Sequence, residues 1–246
     1  MKRFENKTLL ITGGSSGIGL AGAERLVNEG AKVLITGRTE KHINAAAERL
    51  GTNAIIINDN AEDNESPARL VSIVKEYGKI DGLWLNAAYA VGATLDRMNK
   101  EMIEKMFQVN VITPMLQMGA LSPYIKDGGS VLVTSSSAVY EGQSSVSLYS
   151  ASKAAILAAA RCWATELAPR NIRVNSLVPG PITSNLRSSL PDELRKQFED
   201  GLAKTVLLKR IGNPEEAAAV AAFLLSEESS YVTGSSYIVD GGLLMI

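Results

Sequence analysis

The chain is poor in the residues that build metal sites and disulfides. It has one cysteine, Cys162, and one histidine, His42, among 246 residues. A single cysteine excludes an intrachain disulfide. His42, in "TEKHINAAAERL", has no second histidine or cysteine to share a transition metal with, and it is expected near the start of an exposed helix. Cys162 stands in the apolar stretch "AAARCWATEL" with no histidine nearby, which fits a small buried filler better than a nucleophile. Excess charge is missing too: 25 Lys and Arg against 26 Asp and Glu leave a formal net charge of −1, without the clustered basic footprint of a nucleic-acid binder. No uncharged apolar run reaches the ~18 residues of a membrane-spanning helix. The opening "MKRFENKTLLITGG" has two basic residues but no long apolar core before its first strand, so no signal peptide is expected and the expected location is cytoplasmic.

What is present suits a globular domain, with 46% apolar and 21% charged residues. A chain of this length buries about three quarters of its unfolded surface and needs no staples. Short β-branched runs alternate with longer helical patterns. The candidate strands lie at 7–12, 31–36, 53–58, 80–85, 129–135, 172–177 and 236–240, and the candidate helices at roughly 17–29, 40–50, 65–77, 98–124, 149–168 and 214–226. Most strands are continuously apolar, as in a parallel sheet covered on both faces. Gly30, Gly51 and Gly78 each follow a helix, where a left-handed cap is wanted. Strand–helix alternation along the chain predicts an α/β fold: a single-domain Rossmann-type, doubly wound parallel sheet of about seven strands over residues 1–246, with helices on both faces. A long segment at about 179–212 interrupts the pattern. It is either a lid or substrate loop at the carboxyl edge of the sheet, or a packed pair of surface helices.

The stretch "ITGGSSGIGLAGAERL" joins the first strand to the first helix. Gly13, Gly17 and Gly19 permit a tight turn and the close approach of a pyrophosphate to backbone N–H groups at the helix N-terminus. Ser15 and Ser16 add hydroxyl donors. No Lys-Ser/Thr follows the last glycine, which excludes a Walker P-loop. After the second strand, at "TGR", no acid stands where NAD-binding sites place one for the ribose hydroxyl. Arg38 offers a planar cation suited to a 2′-phosphate, so NADP(H) is expected over NAD(H). The plainer alternative for Arg38 is an exposed turn arginine.

Tyr149 and Lys153 stand at i and i+4, on one face of a helix and one turn apart. An ammonium beside a phenol favours the phenolate and brings the tyrosine toward working pH. Tyr149 is then a candidate general acid toward a ketone and general base toward an alcohol, and Lys153 could also hold a ribose. Ser136, thirteen residues upstream, ends the fifth strand and could bind a carbonyl oxygen. Ser135 and Ser137 are rivals for that role.

Together these residues resemble the short-chain dehydrogenase/reductase family, in its Tyr-x-x-x-Lys subgroup of ~250 residues. The likeness covers almost the whole chain. "TGGSSGIG" (12–19), with Ser15, Ser16, Gly17, Ile18 and Gly19, is similar to the family's cofactor turn. The resemblance implies that Asp59, with Asn60, contacts the adenine and that Gly37 and Arg38 mark an NADP(H) preference. It also implies that Asn86, Ala87 and Ala88 stand for the family's Asn-Asn-Ala-Gly segment, with Leu85 and Ala88 departing from it. Asn110 in "FQVNV" matches the helix asparagine that helps hold a water near the lysine. Ser136 is favoured over its neighbours by the family match, and Asn110, Ser136, Tyr149 and Lys153 form the implied catalytic tetrad. Pro179, Gly180 and Ile182 resemble the segment that touches the nicotinamide, and Ser184 replaces the usual threonine while keeping the hydroxyl.

The expected function is hydride transfer between NADP(H) and a ketone or secondary alcohol, as a carbonyl reductase or alcohol dehydrogenase. The alternatives are a non-catalytic dinucleotide-binding regulator, and a related epimerase or dehydratase. The expected partner is a small-molecule carbonyl or alcohol, with no nucleic acid and no membrane. Leu186, Leu190, Phe198, Leu202 and Val206 could line an apolar substrate pocket or simply pack, with Tyr89, Val91 and Val139 at its rim. A homotetramer is implied by the resemblance, with a dimer as the other option. The small apolar run Ala154–Trp163 supports assembly, because it leaves that helix without an ordinary solvent face.

Overall fold

A computed structural model describes residues 2–183 and 192–245. Seven strands form one sheet: β1 (Thr8–Ile11), β2 (Lys32–Gly37), β3 (Ala54–Asn58), β4 (Ile80–Leu85), β5 (Ile125–Thr134), β6 (Arg173–Pro179) and β7 (Ser236–Val239). Neighbours run parallel in the order β3-β2-β1-β4-β5-β6-β7. The α-helices are α1 (Gly17–Asn28), α2 (Glu40–Leu50), α3 (Ser66–Tyr77), α4 (Lys100–Phe107), α5 (Thr113–Leu121), α6 (Ser147–Leu167), α7 (Asp192–Thr205) and α8 (Pro214–Leu225).

The sheet is buried on both sides because each strand sends alternate apolar residues to opposite faces. Ile11, Ile35, Trp84 and Leu132 pack with Leu20, Leu26 and Ala221 of α1 and α8. Leu10, Leu34, Leu83 and Val133 pack with Leu70, Met118 and Ile156 of α3, α5 and α6. Each fully buried Leu or Ile here contributes about 1.5–3 kcal/mol relative to an exposed one.

Three expectations need correction. The helix expected over 98–124 is two helices joined by a π turn, Gln108–Ile112. Pro114 has no N–H to give the Asn110 carbonyl four residues back, so the ladder slips by one residue there. Strand β5 starts at Ile125, four residues before the expected 129, because Ile125 pairs with Ile80 across a register shift. Its early residues 126–128 are exposed, which hid them from a search for apolar runs. Cys162 is exposed, not buried. The buried stripe of α6 runs through Ser152, Lys153, Ile156, Ala160 and Ala164, and Cys162 lies off it.

Gly51 and Gly78 end their helices at φ 61°, ψ −150° and φ 88°, ψ 178°. These are positive-φ corners, but in the extended glycine-only region rather than the left-handed helical one. The 179–212 segment contains α7, with Leu202 facing the main cavity and Val206 buried. Ser184, Leu186 and Leu190 lie outside the described residues, as does the side chain of Phe198.

The strand order reverses between β1 and β4, since β1 continues to β2 on one side while β4 leads away on the other. Ligands of such sheets bind at the carboxyl ends of the strands at this switch point.

Candidate active site

A cavity of about 950 Å³ opens at those carboxyl ends. Its first wall is the β1–α1 turn, with Gly13, Ser15, Ser16, Gly17 and Ile18 facing it. Ser16 caps α1 with an extended backbone and no side-chain cap bond, and the first turn holds no acid. The leading N–H groups and the helix dipole are therefore left to an anion. A Cβ on Gly13 would lie 2.8 Å from Ala87 Cα, and one on Gly19 would overlap the Gly13 carbonyl oxygen. Gly19 thus does not line the cavity but lets the turn close behind it. This tight turn, with its leading N–H groups directed at the cavity, fits the pyrophosphate of a dinucleotide.

The turn is tied to the rest of the site by threonine hydroxyls that the sequence reading did not single out. Thr36 Oγ1 accepts from Gly13 N at 3.0 Å, and Thr12 Oγ1 accepts from Asn86 N at 3.0 Å and Ala87 N at 3.1 Å. Asn86 Nδ2 donates to the Gly13 carbonyl at 3.2 Å, and Asn86 Oδ1 accepts from Thr134 Oγ1 at 3.0 Å. Trp84 Nε1 donates to that same Thr134 hydroxyl at 2.8 Å. The Thr134 main-chain carbonyl in turn accepts from Lys153 Nζ at 2.9 Å. Hydrogen bonds through Asn86 and Thr134 thus link the phosphate turn to Lys153. A legible signal existed for Thr12 and Thr36: the triplet Ile-Thr-Gly begins on the last residue of β1 and closes β2.

At the far end of the cavity Arg38, Thr39, His42, Asp59 and Asn60 line the wall. His42, expected on an exposed helix, faces the cavity. Arg38 Nη1 donates to Glu62 Oε1 at 2.7 Å. Asp59 is buried, with Oδ2 accepting from Ser66 Oγ and Oδ1 from Arg69 Nη1, both at 2.7 Å. Its carboxylate is therefore anchored to α3.

At the near end stand Ala87, Ala88, Ser136, Tyr149, Lys153, Pro179, Gly180 and Ile182. Lys153 is 2% exposed, and its Nζ lies 5.9 Å from the Tyr149 ring centroid. Burial alone pushes its pKa down to about 8. Of the three serines, Ser135 is buried and donates to the Lys153 carbonyl at 3.0 Å, and Ser137 is buried as well. The Ser136 oxygen accepts from Ala138 N at 3.2 Å, which leaves its proton to donate outward.

Asn110 is 1% exposed and stands behind this wall, in the π turn. Its Oδ1 accepts from Tyr89 N and its Nδ2 donates to Tyr89 O, each at 2.8 Å. Nδ2 also reaches Ser152 Oγ at 3.0 Å, and Ser152 donates to the Tyr149 carbonyl at 2.7 Å. Asn110 thus bridges the β4 loop to the turn of α6 that carries Tyr149 and Lys153. Tyr89 and Val91 line the cavity, whereas Val139 does not.

The family model described as "Enoyl-(Acyl carrier protein) reductase" matches residues 13–244. The chain belongs to the short-chain dehydrogenase/reductase family. It is 37% identical to an oxidoreductase, asL5, of Sarocladium schorii over 100% of this chain and 99% of that one. It is also 37% identical to human dehydrogenase/reductase SDR family member 4, over 96% of this chain and 87% of that one. A crystal structure from Brucella melitensis titled as a short-chain dehydrogenase/reductase, glucose/ribitol dehydrogenase, superposes with a TM-score of 0.92 at 32% identity, covering 99% of each chain. As a short-chain dehydrogenase/reductase, the protein is an oxidoreductase that acts on CH–OH or C=O groups with a nicotinamide dinucleotide. Among the described residues no helix is long and apolar enough to cross a membrane.

Proposed function

We propose that the protein is an NADP(H)-dependent carbonyl reductase or alcohol dehydrogenase in which Tyr149 exchanges the proton. The observation that carries this reading is the meeting of Ser136, Tyr149 and buried Lys153 in the cavity that the glycine turn enters. When bound, the nicotinamide gives a hydride to the substrate carbon or takes one from it. The Ser136 hydroxyl donates to the substrate oxygen, and the Tyr149 phenol gives that oxygen a proton in reduction and recovers it in oxidation. The Lys153 ammonium favours the phenolate and so lowers the cost of proton transfer. Asn110 positions this turn of α6, and the second lone pair of its Oδ1 suits a water leading protons to solvent.

Arg38 supports the choice of NADP(H), since it lines the end of the cavity where Asp59 is already held by Ser66 and Arg69. Helix α7 acts as the substrate loop, with Leu202 lining the same cavity as Tyr89 and Val91. A homotetramer is the proposed assembly. Ile112, at the end of the π turn, and Met115 and Leu116 of α5 are 44–50% exposed, an apolar surface that a second copy would cover. Sedimentation that found only monomer would remove that part.

The direct test is a panel of ketones and secondary alcohols assayed with NADPH and NADH in parallel. Turnover with a ketone and a preference for NADPH are expected. A strong preference for NADH would overturn the Arg38 assignment, and no turnover on any carbonyl would overturn the reaction.

A further inference from the structure

We propose that Glu62 sets cofactor choice: its carboxylate holds Arg38 and Lys105 and opposes a 2′-phosphate at the ribose end of the cavity. This rests on the NADP(H) reading above. Arg38 Nη1 reaches Glu62 Oε1 at 2.7 Å, and Lys105 Nζ reaches Glu62 Oε2 at 3.1 Å. Each carboxylate oxygen thus takes one cation, and the three groups together carry a net charge of +1 rather than +2.

The carboxylate is the fixed member of this cluster. Its side chain is 29% exposed against 60% for Arg38. Glu62 N donates to Asn60 Oδ1 at 3.1 Å, and Thr113 Oγ1 donates to the preceding carbonyl, Ala61 O, at 2.6 Å. The loop is therefore pinned from both α5 and its own turn, so Arg38 comes to Glu62 rather than the reverse. Lys105 is braced as well, with its Nζ 5.1 Å from the Tyr89 ring centroid.

A 2′-phosphate dianion binding to Arg38 meets this fixed negative charge next to its partner. A 2′-hydroxyl carries no charge and meets no such opposition. Glu62 accordingly holds the NADP(H) preference below what Arg38 alone would give. Were Glu62 merely an orienting strut, a neutral glutamine that still accepts from Arg38 would change nothing or weaken binding.

The test is equilibrium binding to the apo protein. NADPH and NADH are followed by fluorescence, and adenosine 2′,5′-bisphosphate and 5′-AMP by calorimetry, in low and high salt. Glu62→Gln is expected to tighten NADPH and the bisphosphate by about tenfold at low salt, with NADH and AMP within about twofold. The gain should shrink at high salt, because the contacts are exposed. Arg38→Ala is the control and is expected to weaken NADPH and the bisphosphate by about tenfold or more. If Arg38→Ala has its effect but Glu62→Gln leaves the ratio of NADPH to NADH affinity unchanged or lower, the role of Glu62 is wrong. If Arg38→Ala has no effect, the NADP(H) reading itself fails. Should Glu62→Gln not fold, Glu62→Ala is read by the same ratio.

Discussion

Tyr149→Phe is expected to reduce turnover at least about 1,000-fold while leaving the dissociation constant for cofactor within a few-fold of wild type. General acid–base groups contribute ~10²–10⁴ in rate, and under the proposed mechanism the substitution removes the proton donor itself. The ring remains, in a turn of α6 held by Ser150 Oγ to the Ala138 carbonyl and by Ser152 Oγ to the Tyr149 carbonyl. Only the phenolic oxygen is removed, so the variant is expected to fold. The check is steady-state kinetics on the best ketone from the panel, with cofactor binding measured in parallel. Carbonyl reduction near wild-type rates would end the assignment of Tyr149 as the acid.

Lys153→Met is expected to move activity and stability in opposite directions. Turnover should fall by about 10²–10⁴, because the phenolate loses its favouring charge. Stability at pH 7 should rise. Lys153 is fully enclosed, and burial lowers its pKa from 10.5 to about 8. The fold therefore holds an ammonium it would rather discharge, at a cost of roughly 3 kcal/mol at neutral pH. Losing the bond to the Thr134 carbonyl takes back about 1 kcal/mol. The sign follows from proton counting. Between about pH 8 and 10.5 the unfolded chain binds more protons than the native one, so the stability contributed by this group is gained as pH rises and lost as pH falls through 8. The difference in Tm between variant and wild-type apo protein should thus be largest near neutral pH and shrink toward pH 10, at roughly 2–4 °C per kcal/mol. A variant less stable than wild type throughout that range would show that Lys153 is not strained by burial.

The sheet was legible because parallel strands buried on both faces leave continuous apolar runs such as Val33, Leu34 and Ile35. The glycine turn and the Tyr149–Lys153 pair were legible because each is local, spanning less than three helical turns. What escaped was either disguised or distant. Thr12, Thr36 and Thr134 read as ordinary β-branched strand residues, and only the fold shows their hydroxyls tying loops together. Glu62 lies 24 residues from Arg38, so no local pattern joins them. The exposed start of β5 carries Lys126 and Asp127 and has no apolar signature. Cys162 was misplaced because an alanine-rich helix has no contrast between its faces.

The π turn at Gln108–Ile112 has one more consequence. It is an α-helix carrying a single surplus residue. Deleting any one of the other four residues of the turn would remove that surplus and swing everything on one side of the cut by about 100°. Asn110 would then face away from Tyr89 or from Ser152 although its identity was unchanged. Here the protein depends on residue count as much as on residue type, so a deletion that a surface loop would absorb would disconnect this bridge.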